Sequence, residues 1–129
     1  EILFTEEVIS RLSKNTHLLI NITNDAWFGK TIGPYQHLAL AKIKAVELGI
    51  PLARVANTGI SALISPYGEE ITKIPLYEKG VKTVTLIAPL EHTIYKKYGG
   101  IIFILSILFL IIINGICSFK TGSELKNEK

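Results

Sequence analysis

The chain has 129 residues, 48% of them hydrophobic, and a formal charge of +3. So small a charge, with no dense Lys/Arg cluster interleaved with aromatics, argues against a nucleic-acid partner. A single cysteine, Cys117, excludes an internal disulfide and a CxxC metal site.

Taken in chain order, Thr5 followed by Glu6 and Glu7 predicts a helix N-terminus, with a capping hydroxyl and acids in the first turn. Val8, Ile9 and Leu12 fall on one face, and the helix should end near Lys14–Asn15. Leu18–Thr23 is short and almost continuously apolar, as expected of a strand covered on both faces. The loop Asn24–Gly33 follows, and Pro34 then suits the first turn of a second helix. Leu38, Ala41, Ala45 and Leu48 make the apolar stripe of that helix, and Gly49 is a good stop.

Beyond Gly49 the period becomes two. Strands are predicted over Pro51–Val55, Ile60–Ser65, Glu70–Ile74 and Val81–Ile87, separated by Asn57-Thr58-Gly59, Pro66-Tyr67-Gly68 and Glu78-Lys79-Gly80 turns. The order helix, strand, helix, strands implies a layered α/β or α+β half-domain whose sheet has one unpaired side.

Residues 101–119, IIFILSILFLIIINGICSF, run nineteen positions without a charge. At about 1.5 Å per residue they span about 28 Å, close to a hydrocarbon core of about 30 Å. Tyr95, Lys96, Lys97 and Tyr98 precede the run and Lys120 follows it, the flanking expected at a membrane interface. A buried helix in a soluble domain is the alternative, but the remaining residues are too few to surround it. Orientation is undecided by charge: Lys82, Lys96 and Lys97 stand before the run, against Lys120, Lys126 and Lys129 after it. The expected divisions are a domain over 1–90, a juxtamembrane linker over 91–100, a transmembrane helix over 101–119 and an irregular polar tail over 120–129. The chain starts at Glu1 and contains no methionine, so a piece of a longer protein is expected.

Candidate chemistry gathers in the loop. It leaves the C-terminal end of a strand, where open α/β folds place ligands, and it concentrates Asn24, Asp25, Trp27 and Phe28. Asn24-Asp25 could equally satisfy a turn, and Trp27-Phe28 could fill a core. His37, one turn into the second helix, reads as a hydrogen-bonding structural histidine more readily than a base. His17 and His92 read as surface residues, and the histidines lack metal-ligand spacing. For Glu47 and Arg54, beside the helix-to-strand turn, a local ion pair is the simplest account. No GxSxG, P-loop or Cys–His pair is present. These residues alone describe a membrane-tethered piece of an α/β domain.

The segments NDAWFG, GPYQH, KAVELGIPLARVANTGIS and SPYG stand in order along residues 24–68. In wording, order and spacing they closely resemble the second half of the nitrilase-type domain of bacterial apolipoprotein N-acyltransferases, over roughly residues 1–90. The resemblance implies the C-terminal half of a four-layer α-β-β-α nitrilase sandwich plus one C-terminal transmembrane helix. It implies a bacterial inner-membrane location, the nitrilase-like part periplasmic and the tail Lys120–Lys129 cytoplasmic. The implied partners are a phospholipid acyl donor, a diacylglyceryl-lipoprotein acceptor, the membrane and the N-terminal half of the same enzyme, with no cofactor and no metal. The implied chemistry is acyl transfer by a Glu-Lys-Cys triad through a cysteine thioester, which stays reactive toward an amine.

Carried over by residue, Glu1 matches the acidic residue beside the nucleophile in a Cys-Tyr-Glu sequence, and Trp27 the tryptophan of the NDAWFG loop near the acyl and lipopeptide path. Phe28, Asn24 and His37 share that neighbourhood as substrate-binding candidates. The cysteine would lie two residues before Glu1, and Cys117 cannot replace it from inside the bilayer. The 129 residues alone are therefore expected to be inactive. Two other readings stay open: a nitrilase-type amidase acting on a small C–N substrate, and a remnant or non-catalytic half of a split gene.

Overall fold

The computed structural model describes residues 5–13 and 15–127, with side chains described for 7–13 and 15–115. Glu1 and Lys14, and the capping side chain expected at Thr5, lie outside these described residues. The element order is α1 (Thr5–Arg11), β1 (Leu19–Asn24), α2 (Gly33–Leu48), β2 (Leu52–Asn57), β3 (Ser61–Ile64), β4 (Glu70–Ile74) and α3 (Ile94–Asn127). α1 stops at Arg11, earlier than the expected Lys14–Asn15.

The four strands form one mixed α/β sheet in sequential order. β1 and β2 are parallel, and α2 is the crossover between them, as a parallel pair requires. β2, β3 and β4 are antiparallel neighbours joined by tight turns. Leu38, Ala41 and Ala45 of α2 pack on Leu52, Ile60, Ala62 and Ile64 in the core, with Leu19 and Leu76 at its margin. Pro34 occupies the first turn of α2, where its missing N–H goes unnoticed. Gly49 ends the helix in the left-handed region at φ +65°, and its N–H returns to the Ala45 and Val46 carbonyls.

β1 departs from expectation. It is not covered on both faces by the described residues: Ile20 is 67% and Ile22 80% exposed. Ile22 lies opposite Val55, itself 53% exposed, so one face of the β1–β2 pair is open and apolar. Period two places Ile20 and Ile22 together on one face, opposite to Leu19, Asn21 and Thr23, but it does not say what covers that face. The strand expected over Val81–Ile87 is absent. Its alternation is real, but a strand needs a ladder partner, and this segment finds none among the described residues. Instead Lys82 and Val84 line a shallow groove with Ala53, Leu63, Thr72 and Ile74.

The chain divides into two compact units, 1–96 and 97–129. In the first, Thr93 Oγ1 accepts the Lys96 N–H at 3.1 Å, capping the start of α3, and donates to the Glu47 carbonyl at 2.5 Å. The Leu90 N–H reaches Gly49 O at 2.7 Å. In the second, α3 carries the apolar run, and Ile94–Gly115 is long and apolar enough to cross a membrane, none of it buried. Ser106 and Asn114 donate back to the Phe103 and Leu110 carbonyls, so their polarity is absorbed within the helix. α3 continues to Asn127 where an irregular tail was expected, because helix propagation adds a bond for each residue fixed. The side chain of Cys117 lies outside the described residues.

One surface charge cluster links α2 to β4. Lys42 Nζ donates to Glu70 Oε1 at 3.1 Å and Lys73 Nζ lies 3.3 Å from Oε2. The Lys42 hydrogen bond holds the Glu70 carboxyl below its ordinary range, with Lys73 assisting and partial burial opposing. A folded pKa below the unfolded one gives stability that is present above the ordinary carboxylate range and lost as pH falls through the depressed value. With Lys42 over a third exposed, solvent screening keeps the effect small. Lys42→Met should cost up to about 1 kcal/mol near neutral pH and flatten the acid limb. Denaturant midpoints at neutral and acid pH measure this, and an unaltered acid limb contradicts it.

Candidate functional site

The parallel strands β1 and β2 end in register at Asn24 and Asn57. Asn24 Oδ1 accepts both the Asn57 amide at 3.1 Å and the Ala26 N–H at 3.2 Å, so it ties the strand ends and starts the turn. The Asp25 N–H continues the ladder by donating to Asn57 O at 3.1 Å. The Asp25 carbonyl accepts the Phe28 N–H at 3.0 Å, closing a 3-10 turn over Ala26–Phe28.

Beneath this turn lies a charge network. Asp25 and Arg54 are each 1% exposed. Arg54 Nη2 donates to Asp25 Oδ2 at 2.6 Å, Nη1 to Asn21 Oδ1 at 3.1 Å and Nε to Ile60 O at 3.2 Å. His37 Nδ1 lies 2.9 Å from Asp25 Oδ1. An ionised carboxylate only accepts, so Nδ1 carries the proton in this contact. The His37 ring also meets Phe28 edge-on, centroids 5.9 Å apart. The buried pair explains why Arg54 shares the inward parity of Leu52: its charge is matched at the strand end.

Space is as restrictive as charge. Gly59 lies directly against the Asp25 carboxylate, and a Cβ there would overlap Oδ2. The Asn57-Thr58-Gly59 turn is therefore a packing surface for Asp25. Thr58 takes the left-handed region at φ +57°, and its carbonyl accepts the N–H of Tyr77, which is also left-handed at φ +63°. Beside this pair, Lys30, Thr31, Tyr35, Leu76 and Tyr77 line an open surface groove. Lys30 Nζ stands 5.8 Å from the Tyr77 ring centroid.

Asn24, Phe28 and His37 meet around the turn. Trp27 does not fill a core: it is 87% exposed, with Phe28 at 40%. Glu47 makes the expected local ion pair, with Lys44 in its own helix, whereas Arg54 pairs instead with the distant Asp25. Propensity cannot find a partner 29 residues away; the available signal was the inward parity of Arg54. Glu1 lies outside the described residues. Among the described residues no group of His, Cys, Asp and Glu could hold a metal ion.

The carbon-nitrogen hydrolase family model matches residues 1–94, and the chain belongs to that family. Within it, the chain is similar to apolipoprotein N-acyltransferases. It is 44% identical to that of Bradyrhizobium diazoefficiens over 101 residues, 78% of this chain and 19% of the relative. The Rickettsia bellii protein is 42% identical over 106 residues, 79% and 21% of the two chains. The Haemophilus influenzae protein is 42% identical over 114 residues, 87% and 22%. The chain thus spans about a fifth of the length of the curated relatives it matches.

Loss of either part of the buried network should be severe. Arg54→Ala leaves Asp25 as an unpaired buried charge and should cost about 3–5 kcal/mol. Gly59→Ala should destabilise by a similar route, because the carboxylate must leave its place. Chemical denaturation of both variants checks this, and losses near those of surface substitutions would contradict it.

Proposed function

We propose that this chain is part of a membrane N-acyltransferase that moves an acyl chain from a phospholipid to the N-terminal cysteine amine of a diacylglyceryl-modified lipoprotein. The observation that carries the reading is the 42–44% identity to apolipoprotein N-acyltransferases of three genera. The geometry supports a role for the loop in it. Trp27 and Phe28 form an exposed apolar ridge on a buried, hydrogen-bonded base, suited to an acyl chain or lipopeptide. Asn24 and His37 hold that ridge from below.

Under this reading the triad, the thioester and the other half of the fold lie on residues upstream of Glu1, so the 129 residues alone do not transfer acyl groups. α3 spans the inner membrane, with the domain periplasmic and Lys120–Lys129 cytoplasmic, tethering the domain to the membrane where both substrates reside. The open face of Ile20, Ile22 and Val55 suits the second sheet of a four-layer sandwich. A small-amide hydrolase has the same family model behind it, but gives no purpose to a membrane-length helix or to an exposed Trp27.

The test uses the Haemophilus influenzae relative with its matching segment replaced by this chain. With phospholipid and a diacylated lipopeptide, the chimera should transfer an acyl group. Trp27→Ala should raise KM or slow turnover about tenfold, the loss of one large apolar contact. Unchanged kinetics would return Trp27 to a surface role. Amide hydrolysis without transfer would favour the small-substrate reading.

A further inference from the structure

We propose that His37, through Asp25, is a positioning residue that fixes how the Trp27–Phe28 ridge stands. The ridge needs such a device. An exposed tryptophan next in sequence to Phe28, itself 40% exposed, gains by folding back onto apolar surface. Burying an aromatic side chain of that size is strongly favoured. Something must hold the turn against that gain, and the backbone hydrogen bonds of one 3-10 turn are weak by comparison.

Asp25 supplies the hold because it belongs to both layers. Its main chain makes the hydrogen bonds that begin and close the turn, to Asn57 O and from Phe28 N. Its side chain sits in the core, with one oxygen toward Arg54 on β2 and the other toward His37 on α2. The turn is thereby referenced to a strand and a helix through one carboxylate. Arg54 and the close-packed Gly59 hold one carboxylate oxygen. The His37 hydrogen bond holds the other and ties it to α2, and the same ring abuts Phe28 edge-on. A buried ion pair is a poor source of net stability; setting the geometry of a ridge that packing would collapse is a sounder reason for it. What the ridge is held for rests on the proposed function, whereas the holding does not.

Trp27 is the single tryptophan of the chain, so its fluorescence reports the ridge directly, in the whole chain held in lipid nanodiscs. His37→Asn keeps an N–H donor near the place of Nδ1, while His37→Gln keeps polarity but moves the donor one bond outward. His37→Leu removes it. All three are compared at unchanged far-UV circular dichroism. The Gln and Leu variants should lower Trp27 anisotropy and speed Phe28 amide exchange about tenfold, and Asn should restore both. Wild-type behaviour in the Leu and Gln variants overturns the proposal. So does equal loosening in all three, which would assign the effect to ring packing. If Leu does not fold, the Asn–Gln pair decides alone. In the chimera, His37→Gln should add little to Trp27→Ala, since both act through one ridge; additive losses in KM also overturn it. These readouts stand apart from the function: a chimera that never transfers acyl groups sinks the substrate reading and leaves the anisotropy result intact.

Discussion

The ion pair between Asp25 and Arg54 organises this α/β unit. Two groups that are each 1% exposed meet at 2.6 Å, and each also hydrogen-bonds to other elements. Arg54 reaches β1 through Asn21 and the turn before β3 through Ile60, while Asp25 reaches α2 through His37. A guanidinium suits this place because its planar fork aims several donors at once, which an ammonium cannot do. Once the pair is buried, strand register, the setting of α2 and the tightness of the turn at Gly59 all become conditions of keeping it paired. The apolar core beside it, built largely of alanines, leucines and isoleucines, is permissive by comparison.

Much of the architecture was legible in the sequence because it rests on local rules. The stripe Leu38, Ala41, Ala45 and Leu48 is buried as its spacing implies, and Pro34 and Gly49 bound α2. β4 keeps its expected limits, and β2 and β3 shift by one or two residues. What was not legible depends on partners. Val81–Ile87 has the alternation of a strand, but alternation states only which side chains share a face. Whether a backbone edge lies alongside is a property of the rest of the fold. The exposure of Ile20 and Ile22 belongs to the same class, since continuous apolarity cannot say what covers each side.

The site divides in the same way. The loop Asn24–Gly33 drew attention through composition and its place after a strand, and Asn24, Phe28 and His37 do assemble there. Its foundation escaped, because Arg54 is distant in sequence and Asp25 passes for an ordinary turn residue. Two left-handed residues that are not glycine, Thr58 and Tyr77, were equally invisible: nothing in their side chains favours that region, and the Tyr77 N–H to Thr58 O bond joins them.

Thr93 and Gly49 carry a consequence for how such a chain can vary over evolutionary time. A Cβ added at Gly49 would stand 2.6 Å from the Thr93 methyl carbon. The Thr93 hydroxyl, in turn, serves the Glu47 carbonyl and the Lys96 amide together. The two positions draw on one small volume and one oxygen. Serine at 93 keeps the oxygen and releases the volume; valine keeps the volume and discards the oxygen. A side chain at 49, even asparagine with its tolerance of the left-handed region, would press on Leu90 Cβ at 3.1 Å as well, so change at this position is tied to change at both 90 and 93.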